Sequence, residues 1–241
     1  RDDYMVLNAD DSRLNDFIHG AKAQTVMFSR KARVPRGAWL EGEDIVMDMG
    51  KGKEKVCSSK DLFILGKHNL ENALAATAIA ALMEIDTKVI SKVLRNFKGV
   101  EHRIEYVDTI DGINFYNDSK GTNPDAAIKA IDAMEGPTII IAGGMDEDAH
   151  FDAFIDAFGD KILHMVVLGE TSDELIQTAK EKGFSKTHRV DGLEEAVRKA
   201  FSLAHEGENI LLSPACASFD MFKSYEERGE VFKEAVKSLR G

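Results

Sequence analysis

Thr138-Ile139-Ile140-Ile141-Ala142-Gly143-Gly144 is the stretch whose reading decides the fold. An unbroken apolar run of strand length, ended by glycines, is the pattern of a strand buried on both faces, as in a parallel sheet. Outward from it, similar runs recur at 162–168, 187–190 and Asn209–Leu212. Segments with helical spacing alternate with them, at 124–134, 151–158, 172–182, 193–205 and 225–239. Strands alternating with helices predict right-handed crossovers and a doubly wound, mostly parallel α/β sheet. Upstream, apolar runs at 104–107 and 113–116 flank Asp111-Gly112, a strong hairpin signal.

The first hundred residues read as mixed. Short β-rich runs fall at 4–7 and 25–28, with a helix expected over 11–20 between them. Residues 39–40 and 45–47 flank Glu41-Gly42-Glu43-Asp44 as a hairpin; Gly50 and Gly52 turn the chain into another strand at 56–58. An apolar run at 62–65 is read as a strand leading through Gly66 into a helix at 68–83. In that helix Leu70, Leu74, Thr77 and Ala81 recur at helical spacing and make an unusually small face. A second helix spans 87–97. The linker Lys98-Gly99-Val100 then separates domains expected at 1–98 and 99–241, with Gly99 as a hinge.

Composition excludes several classes. The 241 residues carry 31 basic and 42 acidic side chains, a net charge of −11, whose field repels nucleic acid. No apolar run approaches the ~18 residues of a membrane span. Cys57 and Cys216 are too few for a disulfide framework and too far apart for a CxxC site, which fits a reducing cytoplasm. Arg1-Asp2-Asp3 gives no sign of a signal peptide, and a strand so close to the first residue suggests a chain entered partway through a fold.

Ligands of open α/β sheets bind at the carboxyl ends of strands. That rule selects the loops 117–123, 143–150, 169–171 and 213–220. In Asn117-Asp118-Ser119-Lys120-Gly121-Thr122-Asn123-Pro124, Asn123 and Pro124 are helix-start grammar. Asp118, Lys120 and Thr122 just upstream either serve an anionic ligand at the helix start or form a solvated loop. Gly143-Gly144 lacks the third glycine of a dinucleotide fingerprint and reads more simply as a tight turn. Ser213-Pro214-Ala215-Cys216-Ala217-Ser218-Phe219-Asp220 offers hydroxyls and small residues, with Cys216 as an inert thiol. Gly66-Lys67-His68-Asn69 offers base or phosphate contacts, or only a capping turn. Arg103 could clamp a phosphate or pair with Glu101 or Glu105. No pair of histidines has metal-ligand spacing, and His164 reads as a core residue.

The order of these motifs resembles the Mur ligase family. It runs from His68-Asn69 and the alanine-rich helix through His102-Arg103, the 117–124 motif and Gly143-Gly144 to the 213–220 motif and Tyr225-Glu226-Glu227-Arg228-Gly229. The likeness is strongest to the D-glutamate-adding branch and covers essentially the whole chain. It implies a partial central ATPase domain at 1–98, followed at 99–241 by a Rossmann-like, doubly wound, mostly parallel sheet domain. It implies ATP-dependent joining of D-glutamate to UDP-N-acetylmuramoyl-L-alanine through an acyl phosphate, by a cytoplasmic monomer that neither inserts into membranes nor binds nucleic acid.

By the same resemblance, Asn69 contacts the ATP base region, Arg103 the phosphates and Asp118 the ribose. Lys120 sits beside the reacting centre, and Thr122, Ser218, Phe219 and Tyr225 line the D-glutamate site. An ungapped reading of 143–151 sets Glu147 where the family usually carries a lysine or arginine paired with D-glutamate. Either another cation replaces it, the loop is shifted, or the amino-acid preference differs. The family's phosphate loop and main Mg2+ ligands are not found; Gly50-Lys51-Gly52-Lys53 lacks the hydroxyl and the preceding strand. The 241 residues alone are therefore expected to be inactive. Two other classes stay open: a binding module without chemistry, and a nicotinamide-dependent oxidoreductase, which the missing third glycine disfavours.

Overall fold

A computed structural model describes residues 3–14, 17, 21–145 and 150–240. The chain divides into two compact units, Arg1–Lys98 and Gly99–Gly241.

In the first unit, strands β1 (Tyr4–Asn8), β2 (Gln24–Ser29), β3 (Gly37–Glu41), β4 (Asp44–Asp48) and β5 (Glu54–Ser58) form one sheet in sequence order. The β1–β2 and β2–β3 pairs are parallel; β3–β4 and β4–β5 are antiparallel, joined by the expected hairpin. Helices α1 (Lys67–Leu82) and α2 (Thr87–Asn96) follow. Helix α1 buries Ala73, Leu74, Thr77 and Ala78 against Val26, Ala38 and Ile45 of the sheet. Its small residues let helix and sheet approach closely, and Thr77 Oγ1 is satisfied by donating to the Ala73 carbonyl at 2.8 Å. Leu70 and Ala81, placed on that face from sequence, are only partly buried.

Residues 62–65 are not a strand. The sheet already ends at β5, and the segment turns through Gly66 (φ +91°) directly into α1. Of the helix expected over 11–20, a short 3-10 turn at Ser12–Leu14 is present, while residues 15, 16 and 18–20 lie outside the described residues.

In the second unit a six-stranded sheet has the order β10-β9-β8-β11-β7-β6. Its strands are β6 (Glu105–Ile110), β7 (Ile113–Asn117), β8 (Thr138–Ala142), β9 (Ile162–Val167), β10 (Thr187–Arg189) and β11 (Asn209–Leu212). Among these described strands, only the β6–β7 pair, the Asp111-Gly112 hairpin, is antiparallel. The helices are α3 (Pro124–Ala133), α4 (Asp152–Asp156), α5 (Ser172–Glu181), α6 (Leu193–Leu203) and α7 (Tyr225–Ser238). All five residues of β8 are buried, as a central parallel strand requires. Ile139, Ile141, Val166 and Ile210 pack with Val197 of α6 and Phe232 and Val236 of α7. Because β7, β11 and β8 are parallel neighbours, their carboxyl ends lie side by side, at Asn117, Leu212 and Ala142.

Helix α4 is shorter than the expected 151–158. Phe158 N–H donates to the Ile155 carbonyl at 3.0 Å, tightening the last turn ahead of Gly159. His164 is not a core residue: it is half-buried, and its Nδ1 lies 3.1 Å from Nε2 of His188 on the neighbouring strand. A sequence separation of 24 hid that pairing.

Candidate functional site

The loop after β7 is built by its own side chains. The Asp118 N–H donates to the Leu212 carbonyl at 2.7 Å, which carries the β7–β11 pairing one residue past the strand. Asn117 Oδ1 accepts from the Ser119 N–H at 3.1 Å and turns the chain. Its Nδ2 donates to Glu105 Oε2 at 3.0 Å and lies 3.0 Å from His102 Nδ1. Asn123 then caps α3 by accepting from the Ala126 N–H at 2.9 Å. Asp118 is 4% exposed. Its carboxyl accepts from Ser213 Oγ at 2.7 Å and from the Ile104 N–H at 3.2 Å. Burial raises its pKa from 3.8 to about 7, against the lowering pull of those hydrogen bonds and of the Arg103 and Arg228 charges. The side chain read as a ribose acceptor is thus already engaged in joining the β7 and β11 loops.

Gly143 and Gly144 have φ of +110° and +146°. A Cβ on Gly143 would overlap the Leu168 carbonyl, and one on Gly144 the Ala217 carbonyl. They are glycines because neighbouring strand-end loops press on the backbone there. The Gly143 N–H donates to the Pro214 carbonyl at 2.8 Å, and Met145 and Ala217 exchange both backbone hydrogen bonds at 3.0 Å. Thr171 Oγ1 donates to the Gly144 carbonyl at 3.1 Å and adds the loop after β9.

Arg228 locks the cluster. It is 2% exposed. Its Nε donates to Ser119 Oγ at 3.0 Å and Nη2 to the Ser119 carbonyl at 2.9 Å. Nη1 and Nη2 both reach the Cys216 carbonyl at 3.1 Å, and Nη1 the Ala217 carbonyl at 3.2 Å. Desolvation lowers its pKa to about 10, so it stays charged at neutral pH. Ser119 Oγ in turn donates to the Tyr225 carbonyl at 2.7 Å, at the first residue of α7.

On this frame Lys120 is exposed, with Nζ 5.8 Å from the centroid of the Tyr225 ring. Its N–H donates to the His102 carbonyl at 3.0 Å. Tyr225 is half-buried and meets the His102 ring edge-on at 6.1 Å. Arg103 is exposed and makes no ion pair with a described residue; the pairing considered with Glu101 or Glu105 is absent because both acids face Lys233. Thr122 is half-buried beside Lys120, its N–H donating to the Lys120 carbonyl at 2.9 Å. Ser218 is buried and Phe219 is 70% exposed on the loop held by Arg228. Cys216 is fully buried.

Asn69 belongs to the first unit. Its Nδ2 donates to the Leu65 carbonyl at 2.7 Å and its Oδ1 accepts from Asn72 at 3.3 Å. Glu147 lies outside the described residues. Sequence reasoning assigned no role to Arg228, His102 or Thr171. Thr171 closes one of the strand-end loops selected from sequence, but nothing singled out its hydroxyl. Arg228 and His102 stood in quoted motifs, but nothing in their neighbours marks a buried guanidinium or ring. Among the described residues, one group has the geometry to hold a metal ion: Glu101, His102 and Glu230.

Residues 102–216 match the family model described as Mur ligase, glutamate ligase domain. The UDP-N-acetylmuramoylalanine--D-glutamate ligase of Alkaliphilus oremlandii is 48% identical over 239 residues, 99% of this chain and 53% of that protein. Along nearly its whole length the chain is thus similar to D-glutamate-adding Mur ligases. A second Mur ligase of the same name, from Thermoanaerobacter sp., is 46% identical over 241 residues, again 99% of this chain and 53% of that protein. The chain thus spans about half the length of the curated relatives it matches. Among solved Mur ligases, the UDP-N-acetylmuramate-alanine ligase of Thermotoga maritima superposes with a TM-score of 0.66 at 19% identity, covering 97% of this chain and 51% of that one. At that identity the likeness concerns the fold.

Proposed function

We propose that the protein containing this chain joins D-glutamate to UDP-N-acetylmuramoyl-L-alanine, with ATP as the phosphoryl donor, in cytoplasmic peptidoglycan precursor synthesis. The observation that carries the reading is the identity of 46–48% with D-glutamate ligases over 99% of the chain. The site is chemically suited to it. Making an amide from a carboxylate requires activation by phosphorylation and then attack by an amine. Both steps concentrate negative charge, and catalysis is mainly positioning and charge stabilisation.

In this reading the exposed Lys120 ammonium faces the reacting centre, steadied over Tyr225. The exposed Arg103 guanidinium serves the nucleotide phosphates, where its planar fork suits two oxygens at once. Asn69 serves the base. Asp118 serves the ribose only at its rim, since its oxygens already accept from Ser213 and Ile104. Thr122, Ser218, Phe219 and Tyr225 line the amino-acid site. ATP is carried as its Mg2+ complex. The cluster Glu101, His102 and Glu230 is a poor place for that ion, because the Lys233 ammonium lies 2.5 Å from Glu101 and 2.7 Å from Glu230. We assign the magnesium ligands to the remainder of the protein. Residues 1–98 are the later part of the ATP-binding domain and 99–241 the amino-acid-binding domain, in a monomer.

Inorganic phosphate release by the complete protein, given ATP and UDP-N-acetylmuramoyl-L-alanine, tests the reading. Release that requires D-glutamate supports it. Release with another amino acid would keep the mechanism and reassign the substrate, and no release with any amino acid would favour a binding module.

A further inference from the structure

Lys233, on the third turn of α7, has a side chain only 14% exposed. Its ammonium lies 2.5 Å from Glu101 Oε1, 2.7 Å from Glu230 Oε1 and 3.7 Å from Glu105 Oε1. Burial works against this charge, yet hydrogen bonds to Glu101 and Glu230 and the charge of Glu105 hold its pKa above the ordinary lysine range. The same acids surround His102, whose Nε2 is 3.7 Å from Glu230 and whose N–H donates to Glu105 Oε2 at 3.0 Å. Glu101, His102 and Glu230 have the spacing of a metal-ligand set, and Lys233 supplies the cation.

The cage closes on a backbone that needs holding. His102 and Ile104, on either side of Arg103, have φ of +63° and +46°. Side chains rarely adopt that region, least of all a β-branched one, and it persists only where surroundings over-determine it. The His102 ring also sits where a Cβ on Gly229 would be, so α7 approaches this segment as closely as glycine allows. The segment carries Arg103, and the His102 carbonyl anchors the Lys120 N–H at 3.0 Å.

We infer that Lys233 is a positioning residue: as the built-in cation of the Glu101–Glu105–Glu230–His102 cage, it holds the strained 102–104 segment so that Arg103 and Lys120 face the ligand. The inference rests on the ligase reading for its kinetic consequence only. In the complete protein, Lys233→Ala is expected to raise the KM for ATP by about 10–100-fold, since misplacing site residues by about 1 Å can cost on the order of 100-fold. The kcat is expected to fall by a smaller factor. The emptied cage should then bind one equivalent of Zn2+, whereas the unaltered protein, with Lys233 in place, is expected to bind none there, and that ion should restore the KM. Amide exchange at Lys120 gives a readout independent of activity. It should quicken in Lys233→Ala and slow again with Zn2+. Glu230→Gln, at an exposed position, provides a second variant should Lys233→Ala fold poorly; it should quicken the same exchange. A protein without ligase activity would overturn the proposed function and leave the exchange measurement to judge the cage. Unchanged KM with unchanged Lys120 exchange, or exchange that Zn2+ does not slow, would overturn the inference.

Discussion

Asp118 concentrates the physical tension of the site. Its folded pKa of about 7 stands above the ordinary 3.8, so between those values the folded chain holds a proton that the unfolded chain has lost. The folded state binds more protons there, and stability falls as pH rises from about 4 to about 7, levelling off above. A difference of that size between folded and unfolded chain corresponds to at most about 4 kcal/mol. Asp118→Asn should abolish this part of the slope. Denaturant unfolding of the 241-residue chain at several pH values would reveal it as a gap, in the variant's favour, that widens toward pH 7; parallel curves would refute the assignment. From sequence, Asp118 stands among three functional residue types crowded upstream of a plain helix start, which leaves a ligand role and a solvated loop equally open. Its burial was not legible, since it depends on Ser213, 95 residues away.

At the scale of elements, the loops after β7 and β11 form one body because α7 reaches into them through Arg228. Replacing it with methionine fills the volume but leaves the carbonyls of Ser119 and Cys216 without these donors. We expect Arg228→Met to destabilise the chain by about 3 kcal/mol or more, since buried acceptors left unpaired are costly. A loss below about 1 kcal/mol in urea denaturation would mean that water replaces the guanidinium. Most elements here were readable from sequence. The continuous apolar runs became β8, β9 and β11, and Asp111-Gly112 became the β6–β7 hairpin, because local pattern and final burial agree. The run at 62–65 was misread because apolar residues also line a turn that packs against a core; Leu62 and Ile64 do so here. The Gly143-Gly144 turn was readable, but its cause was not, because the carbonyls that press on it come from other strand ends.

At the scale of the whole molecule, the described residues supply an exposed lysine and an exposed arginine at the strand ends, and the sequence carries no glycine-rich phosphate loop. The 241 residues alone are therefore expected to form no amide from ATP, D-glutamate and UDP-N-acetylmuramoyl-L-alanine. Mass-spectrometric detection of that product with the isolated chain would contradict the division of labour proposed between its residues and the rest of the protein. In the proposed reaction the complete protein activates a carboxylate by phosphorylation, and an amine then displaces phosphate. Its most direct test is to label both carboxylate oxygens of UDP-N-acetylmuramoyl-L-alanine with oxygen-18, let the complete protein turn over with ATP and D-glutamate, and weigh the released phosphate. One labelled oxygen is expected in each phosphate formed with amide. Amide formation with unlabelled phosphate would contradict the proposed reaction.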